Sequence, residues 1–345
     1  MRNSFETTHN NSAALYGWRQ GGDYGLFGDP GGTTPTTGTY VKYPTYFAEQ
    51  LLSKVVHAGD TVVPVASDDP LVAAYGVRQQ NGHLALLVMN KSPTVNAPVQ
   101  FNLSGFAAAP AATLWRYGVA EGTAQSQSPA GAAALTQTTP TLALTAGNFA
   151  RNVPQYSMSV LNLTPAPVVA GLAVNAGAAQ RSRVTSPAVS FNTTVALTPG
   201  AFTLTRQSDG ATVSDGGTGP QVMVAAASVG GLTAATLTFT GTGLVESGSL
   251  ADGVWVLRVD RTKVTAGGAT LAADDLTPSG GVGRLHRLFG DTDGDADVDN
   301  GDFVRFRPAL GAPANYRADL DWDGDGDIDN GDFVRFRPRL GTSLP

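Results

Sequence analysis

Thirteen of the chain's 28 acidic residues lie between Asp291 and Asp332, and twelve of them form one pattern written twice. The first copy reads DTDGDADVDNGDFVRFRPALG from Asp291, and the second reads DWDGDGDIDNGDFVRFRPRLG from Asp321, 30 residues later. Counting from the first aspartate of each copy, carboxylates occupy positions 1, 3, 5, 7, 9 and 12. In copy one these are Asp291, Asp293, Asp295, Asp297, Asp299 and Asp302; in copy two they are Asp321, Asp323, Asp325, Asp327, Asp329 and Asp332. Hard oxygen donors at alternate positions of a 12-residue loop suit a hard cation. Calcium takes six to eight oxygens at about 2.3 to 2.6 Å, so two such loops imply two Ca2+ ions. Without a cation the carboxylates of each loop repel one another. A solvated acidic tail is the plain alternative, but a tail requires neither a faithful repeat nor apolar residues at fixed positions within it.

The elements that would hold these loops are also duplicated. Val298 and Ile328 fill position 8, where an apolar residue is expected to pair the two loops through a short strand. Phe303, Phe306 and Leu310, with Phe333, Phe336 and Leu340, recur at helical spacing after each loop. Pro308 and Pro338 should kink or end those helices. At position 6, where the turn calls for glycine, copy two has Gly326 but copy one has Ala296, so strain is expected in loop one. This set of residues resembles a dockerin: two calcium loops, each followed by a helix, over residues 291–345. The resemblance implies a small α-helical domain with a cohesin-like or cell-surface partner. Positions 10 and 11, which recognise cohesin in cellulosomal dockerins, read Asn300-Gly301 and Asn330-Gly331, a departure from the hydroxyl pair often found there.

Charge outside this region is balanced. From Leu285 onward seven arginines face thirteen aspartates, which accounts for the whole net charge of −6. No basic patch points to nucleic acid. The chain has no cysteine, which excludes disulfides, thiolate metal sites and a cysteine nucleophile. His9, His57, His83 and His286 lack zinc-ligand spacing. No apolar run approaches the roughly 18 residues of a membrane span, and the opening residues carry no signal-peptide core. A calcium module belongs outside the cell, so a secreted or cell-surface protein is expected, with this chain a fragment whose true N-terminus is missing.

Residues 1–60 begin as a Gly-rich aromatic loop and continue into an amphipathic helix from Tyr43 to His57, ended at Gly59. Strands are expected at Thr61 to Val65, Leu71 to Gln79, His83 to Asn90, Val99 to Leu103, Thr113 to Tyr117, Thr141 to Leu144 and Ser157 to Leu163. Asn81-Gly82 predicts a type I′ hairpin. The phrases YPTYFAEQLLSK, GDTVVPVASDDPLVAAYGVRQQNGHLALLVMNKS, FNLSGF, LWRYG and VPQYSMSVLNL are similar to the C-terminal β-sandwich of retaining (β/α)8 glycosidases of the α-L-arabinofuranosidase and cellulase type. The resemblance covers about 150 residues and implies a remnant of the last barrel loop and helix over 1–60, followed by the associated sandwich over 61–164. It also implies contact with polysaccharide through a parent enzyme. Retaining chemistry requires two carboxylates about 5 to 5.5 Å apart. The four glutamates, Glu6, Glu49, Glu121 and Glu246, are not placed to supply such a pair, so no catalytic residue is assigned. Trp18, Tyr24 and Tyr40 are expected to pack rather than to stack on sugars.

Thr164-Pro165-Ala166-Pro167 reads as a linker. Beyond it, strands at Val168 to Val174, Ala188 to Phe191, Phe202 to Arg206, Gln221 to Ala226, Ala235 to Phe239 and Val254 to Val259 have sandwich spacing. Two phrases there, VNAGAAQRSRVTSPAVSFNTTVAL and SLADGVWVLRV, resemble Ig-like modules that precede dockerin-type repeats in large secreted proteins of planctomycete-like bacteria. The expected fold is mainly β: two β-sandwich domains, 61–164 and 168–284, then a small α-helical calcium domain, 285–345. The expected function is the calcium-binding, non-catalytic C-terminal part of a secreted polysaccharide-degrading glycosidase. The alternative is a calcium-stiffened structural or adhesive surface protein.

Overall fold

The computed structural model describes residues 44–122, 134–276 and 285–345, with the strand dipeptides Phe5–Glu6, Phe27–Gly28 and Val41–Lys42. The fold is mainly β, with 41% of the described residues in strands and 13% in helices. It divides into two compact units, 1–166 and 167–345. Trp18, Tyr24, Tyr40, His9 and the side chain of Glu6 lie outside the described residues.

In the first unit helix α1, Pro44–Val55, precedes strands β1 (Thr61–Val63), β2 (Val72–Arg78), β3 (Leu84–Asn90), β4 (Ala97–Phe101), β5 (Ala108–Gly118), β6 (Thr136–Thr138), β7 (Phe149–Val153) and β8 (Ser157–Pro165). Six of them form one sheet in the order β1-β2-β3-β8-β5-β6, and β7 pairs with β4 in a second. Side chains alternate across a strand, so each central strand supplies two cores. Leu84, Leu86 and Val88 face the core shared with Phe101 and Phe149, while Ala85 and Leu87 face Phe47, Leu51 and Val55 of the helix. Burial on both faces explains why β3 reads as a continuous apolar run. Proline at the first helical position suits its fixed φ and missing N–H.

Three expectations change here. β7 was not anticipated from FARNV, which lacks an alternating apolar pattern, and its partners Ala97–Phe101 are supplied across the sheet. Thr141 to Leu144 makes only a single bridge, Ala111 to Thr141. The hairpin is not type I′: Gly82 N–H donates to Gln79 O (2.9 Å), Gln79 N–H donates to His83 O (2.9 Å), and only Gly82, at φ +82°, is left-handed. A three-residue loop with a glycine bulge has replaced the two-residue turn.

The second unit starts with β9 (Val169–Val174), β10 (Pro187–Phe191), β11 (Phe202–Arg206), β12 (Thr212–Ser214), β13 (Gln221–Val229), β14 (Leu232–Thr240), β15 (Gly253–Val259), β16 (Asp275–Leu276) and β17 (Leu285–Arg287). Their order is β9-β10-β14-β13-β12-β11-β15-β16, with β17 also on β15. The halves are joined by one parallel pair, Ser214 with Gln221, so layers expected as separate sheets are hydrogen-bonded into one. Trp255 lies fully buried in their common core, its indole N–H donating to Ala251 O (3.0 Å). Strand β17 changes the boundary drawn at residue 285: Leu285–Arg287 pair with Gly253–Trp255 and belong to this sheet.

The acidic repeats follow directly. Helices α2, Asn300–Phe306, and α3, Asn330–Phe336, are one copy each of NGDFVRF and stop two residues before Pro308 and Pro338. Their termination exposes Leu310 and Leu340, which the spacing had placed on the apolar stripe; Phe306 and Phe336 alone are fully buried and stack with centroids 4.4 Å apart. Val298 and Ile328 are buried but do not pair with each other. Asp297–Val298 (β18) pairs with Thr342–Ser343 (β19), Gly341 N–H donates to Val298 O (2.7 Å), and Gly311 N–H donates to Ile328 O (2.7 Å). Each loop is thus held by the residues that follow the other loop's helix.

Candidate metal centre

The loops are bent by their own aspartates. At position 1, Asp291 accepts from Gly294 N–H (2.5 Å) and Ala296 N–H (3.0 Å), and Asp321 accepts from Gly324 N–H (2.6 Å) and Gly326 N–H (3.0 Å). Both side chains are buried, and each has a further partner: His286 Nε2 lies 3.0 Å from Asp291, and Tyr316 Oη donates to Asp321 at 2.8 Å. At positions 9 and 12 a capping box starts each helix. Asp299 accepts from Gly301 N–H (2.6 Å) while Asp302 accepts from Asp299 N–H (3.0 Å), and Asp329 and Asp332 repeat this with Gly331 (2.5 Å) and Asp329 (2.9 Å). Acidic residues at a helix N-terminus satisfy its free N–H groups and oppose its dipole. The position-9 and position-12 aspartates therefore have a structural duty beside any ligand role.

Each loop gathers carboxylates. Asp291, Asp293 and Asp302 form one group with ligand oxygens within 4.8 Å of one another, and Asp297, Asp299 and Asp302 a second. Loop two brings together Asp321, Asp323 and Asp325, and separately Asp327, Asp329 and Asp332. Oxygens on one calcium ion lie no more than about 5 Å apart, twice the bond length. The spacing fits that limit, every donor is a hard oxygen, and Asp297 Oδ1 is shielded from solvent without a hydrogen-bond partner. Asp295 joins neither group of loop one.

The two copies differ at Thr292/Trp322, Ala296/Gly326, Val298/Ile328 and Ala309/Arg339. Ala296 takes φ +77° and Gly326 φ +97°, so copy one places a side chain where the backbone favours glycine. Thr292, at position 2, accepts from Arg305 Nη1 (3.1 Å), and the same nitrogen bonds Asp293 (2.7 Å), which puts a guanidinium against loop one. In loop two Trp322 stands in place of Thr292, and Arg335 lies over its ring, 4.2 Å from the centroid. Loop two is also more open, with Asp323 through Asp327 exposed, whereas Thr292 and Ala296 are buried. Burial, and after it the crowding of like charges, raises several carboxylate pKa values. Burial and then Asp295, Asp299 and neighbouring aspartates raise that of Asp297; burial and then Asp325 and Asp329 raise that of Asp327. Asp295 and Asp332 are raised chiefly by burial, with backbone donors opposing the rise.

Glu121 and Glu246 are engaged elsewhere. Glu121 pairs with Arg116 (2.6 Å) and accepts from Thr136 (3.1 Å), and Glu246 pairs with Arg287 (2.5 Å). Sequence reasoning missed the Arg287 cluster. Its guanidinium is fully buried and also binds Asp252 (2.6 Å) and Ser182 O (2.9 Å), and Asp252 in turn accepts from Arg339 Nε (2.5 Å). The only sequence signal was Arg339, the position where copy one carries Ala309.

No protein-family model matches the chain, and no curated protein matches it. Among solved structures, the catalytic domain of GH30 xylanase C from Talaromyces cellulolyticus aligns with a TM-score of 0.30 at 16% identity, covering 41% of this chain and 27% of its own. CelM2, a bifunctional glucanase-xylanase from a metagenome library, aligns at 0.27 and 26% identity over 39% of this chain and 24% of its own. The arabinose-bound MgGH51 α-L-arabinofuranosidase aligns at 0.32 and 18% identity over 41% and 21%. The neighbours are glycoside hydrolases, and the chain spans less than a third of the length of each of these three.

Proposed function

We propose that this chain is the calcium-binding, non-catalytic C-terminal part of a secreted polysaccharide-degrading glycoside hydrolase, in which the twin-loop module serves anchoring or docking. The observation that carries the calcium reading is the gathering of carboxylate oxygens into two triads per loop, each with its oxygens within 4.8 Å of one another. Asp291, Asp293, Asp302 and Asp297 would contribute to one ion, and Asp321, Asp323, Asp325, Asp327 and Asp332 to the other; the cation would relieve the repulsion that crowds these side chains. Support for the glycosidase part comes from the ordered phrases of the first unit, which fall on α1, β1 to β3, β5 and β8. The engagement of Glu121 and Glu246 with arginines supports a structural role for both.

Isothermal titration of the chelator-treated full chain with calcium chloride should resolve two binding events. A flat trace at millimolar calcium refutes the reading. The second reading, a calcium-stiffened surface protein without an enzyme, draws on the shared buried ion cluster that makes the loops and the preceding sheet one unit.

A further inference from the structure

The stretch Gln180–Arg183 lies between β9 and β10, and it touches both loops at once. Arg181 N–H donates to Asp291 O (3.0 Å), and Leu288 N–H returns a bond to Arg181 O (3.1 Å). Two residues on, Arg183 uses one Nη to reach Asp321 O and the other to reach Ser247 O of its own sheet region. The first residue of each loop is thus held by its carbonyl from a single tripeptide. That tripeptide is itself fixed: Asn175 Nδ2 donates to Arg183 O (2.5 Å), Asn175 Oδ1 accepts from Thr185 N–H (3.0 Å), and Val184 is fully buried in the sheet's core. Ser182 Oγ accepts from Gly290 N–H (2.8 Å) just before loop one. Loop one approaches so closely that a Cβ on Gly294 would stand 2.1 Å from Ala179 O.

From this we infer that residues 181–183 form a built-in clamp that reads the opening carbonyl of both loops, so that cation uptake and loop-to-sheet contact are one linked equilibrium. The inference rests on the calcium reading above and adds its regulation. The contacts go to main-chain carbonyls, whose directions are defined only when each loop has its folded path. A cation that orders the loops therefore favours the clamp, and by reciprocity the clamp raises affinity for the cation. Plain electrostatics predicts the opposite sign. An arginine beside an acidic site repels an incoming cation, so its removal should tighten binding.

The sign decides between them. Calcium chloride is titrated calorimetrically into the chelator-treated full chain, into Arg183→Ala and into Arg183→Lys, which keeps the charge and loses the two-pronged contact. Hydrogen exchange is followed by mass spectrometry with and without calcium. The clamp predicts affinity weakened about fivefold or more in both variants, and calcium-induced protection in the wild type that extends beyond the loops to residues 181–186 and to β15. Unchanged or tighter binding by both variants overturns it, and so does protection confined to residues 288–345 while calcium still binds. Absence of any calcium heat in the wild type refutes the calcium reading together with the clamp. Arg183→Lys keeps the test decisive should Arg183→Ala not fold.

Discussion

Replacing Asp252 with alanine strands a charge. Asp252 accepts three bonds, from Arg287 Nη1 (2.6 Å), Phe289 N–H (2.8 Å) and Arg339 Nε (2.5 Å). Arg287 has no exposed side-chain surface, burial lowers its pKa, and Asp252 and Glu246 oppose that shift. Without Asp252 the buried guanidinium keeps only Glu246 and Ser182 O, and one of its terminal nitrogens already lacks a partner. Removing one member of a buried pair costs about 3 to 5 kcal/mol. For a unit of 150 to 250 residues each kcal/mol lowers the melting temperature by about 2 to 4 °C, so a fall of about 6 to 20 °C is expected. Arg287→Met provides the contrast. It withdraws the charge itself and leaves Asp252 and Glu246, each 27% exposed, within reach of water; Asp252 also keeps Arg339 and Phe289. The main loss is then the donor to the buried Ser182 O, about 1 to 3 kcal/mol, with the methionine filling the space of the stem. Thermal melts followed by circular dichroism at saturating calcium compare the two. If Arg287→Met melts lower than Asp252→Ala, the account of the cluster is wrong.

Ala296→Gly should be nearly neutral: relief of about 1 to 2 kcal/mol of left-handed strain is offset by about 0.8 for the buried methyl and about 0.4 to 1 for added freedom in the unfolded chain. Gly326→Ala has no burial to gain, since nothing lies within 4 Å of the new Cβ, and urea melts should show it destabilised; a stabilised variant refutes the assignment of strain. Gly294→Ala and Gly324→Ala share their backbone region, at φ +85° and +80°, but only the first drives a methyl into Ala179 O. Gly294→Ala should therefore melt well below Gly324→Ala, and equal melting temperatures would falsify the close approach. The raised pKa values of Asp295, Asp297, Asp327 and Asp332 give the pH dependence its sign. In cation-free protein a raised folded-state pKa contributes stability that is fully present below the unfolded pKa and is lost as pH rises through the folded pKa. Calcium requires the ionised form, so the gap between calcium-loaded and chelated melting temperatures should shrink as pH falls from 7 to 4; a constant gap counts against the loops as ligands.

The aspartate loops were legible because their information is local: carboxylate spacing, capping residues and helix-ending prolines all lie within one repeat. Helix α1 and most strands were legible for the same reason, since Phe47, Leu51 and Val55 share a helical face and Leu84 through Val88 form an unbroken apolar run. What escaped depends on pairing across long separations. Arg287 meets Glu246 and Asp252, 41 and 35 residues away, without any periodic signal. Strand β17 was hidden because the change in charge begins beside it, and composition placed Leu285–Arg287 with the acidic repeats although β15 claims its backbone. The pairing of position 8 was misassigned because the apolar residue specifies burial but not its partner, and the residues after each helix reach it first.

The crossed bonds Gly311 to Ile328 and Gly341 to Val298 make the repeats reciprocal halves. A single copy retains its aspartates, helix and cap but lacks the strand-like segment that closes its loop and the phenylalanine that stacks on Phe306 or Phe336. Half of the module is consequently not a smaller module; it is an incomplete fold whose missing contacts a second identical half can supply. Loop one is therefore closed by residues 341–343, which lie beyond the second helix.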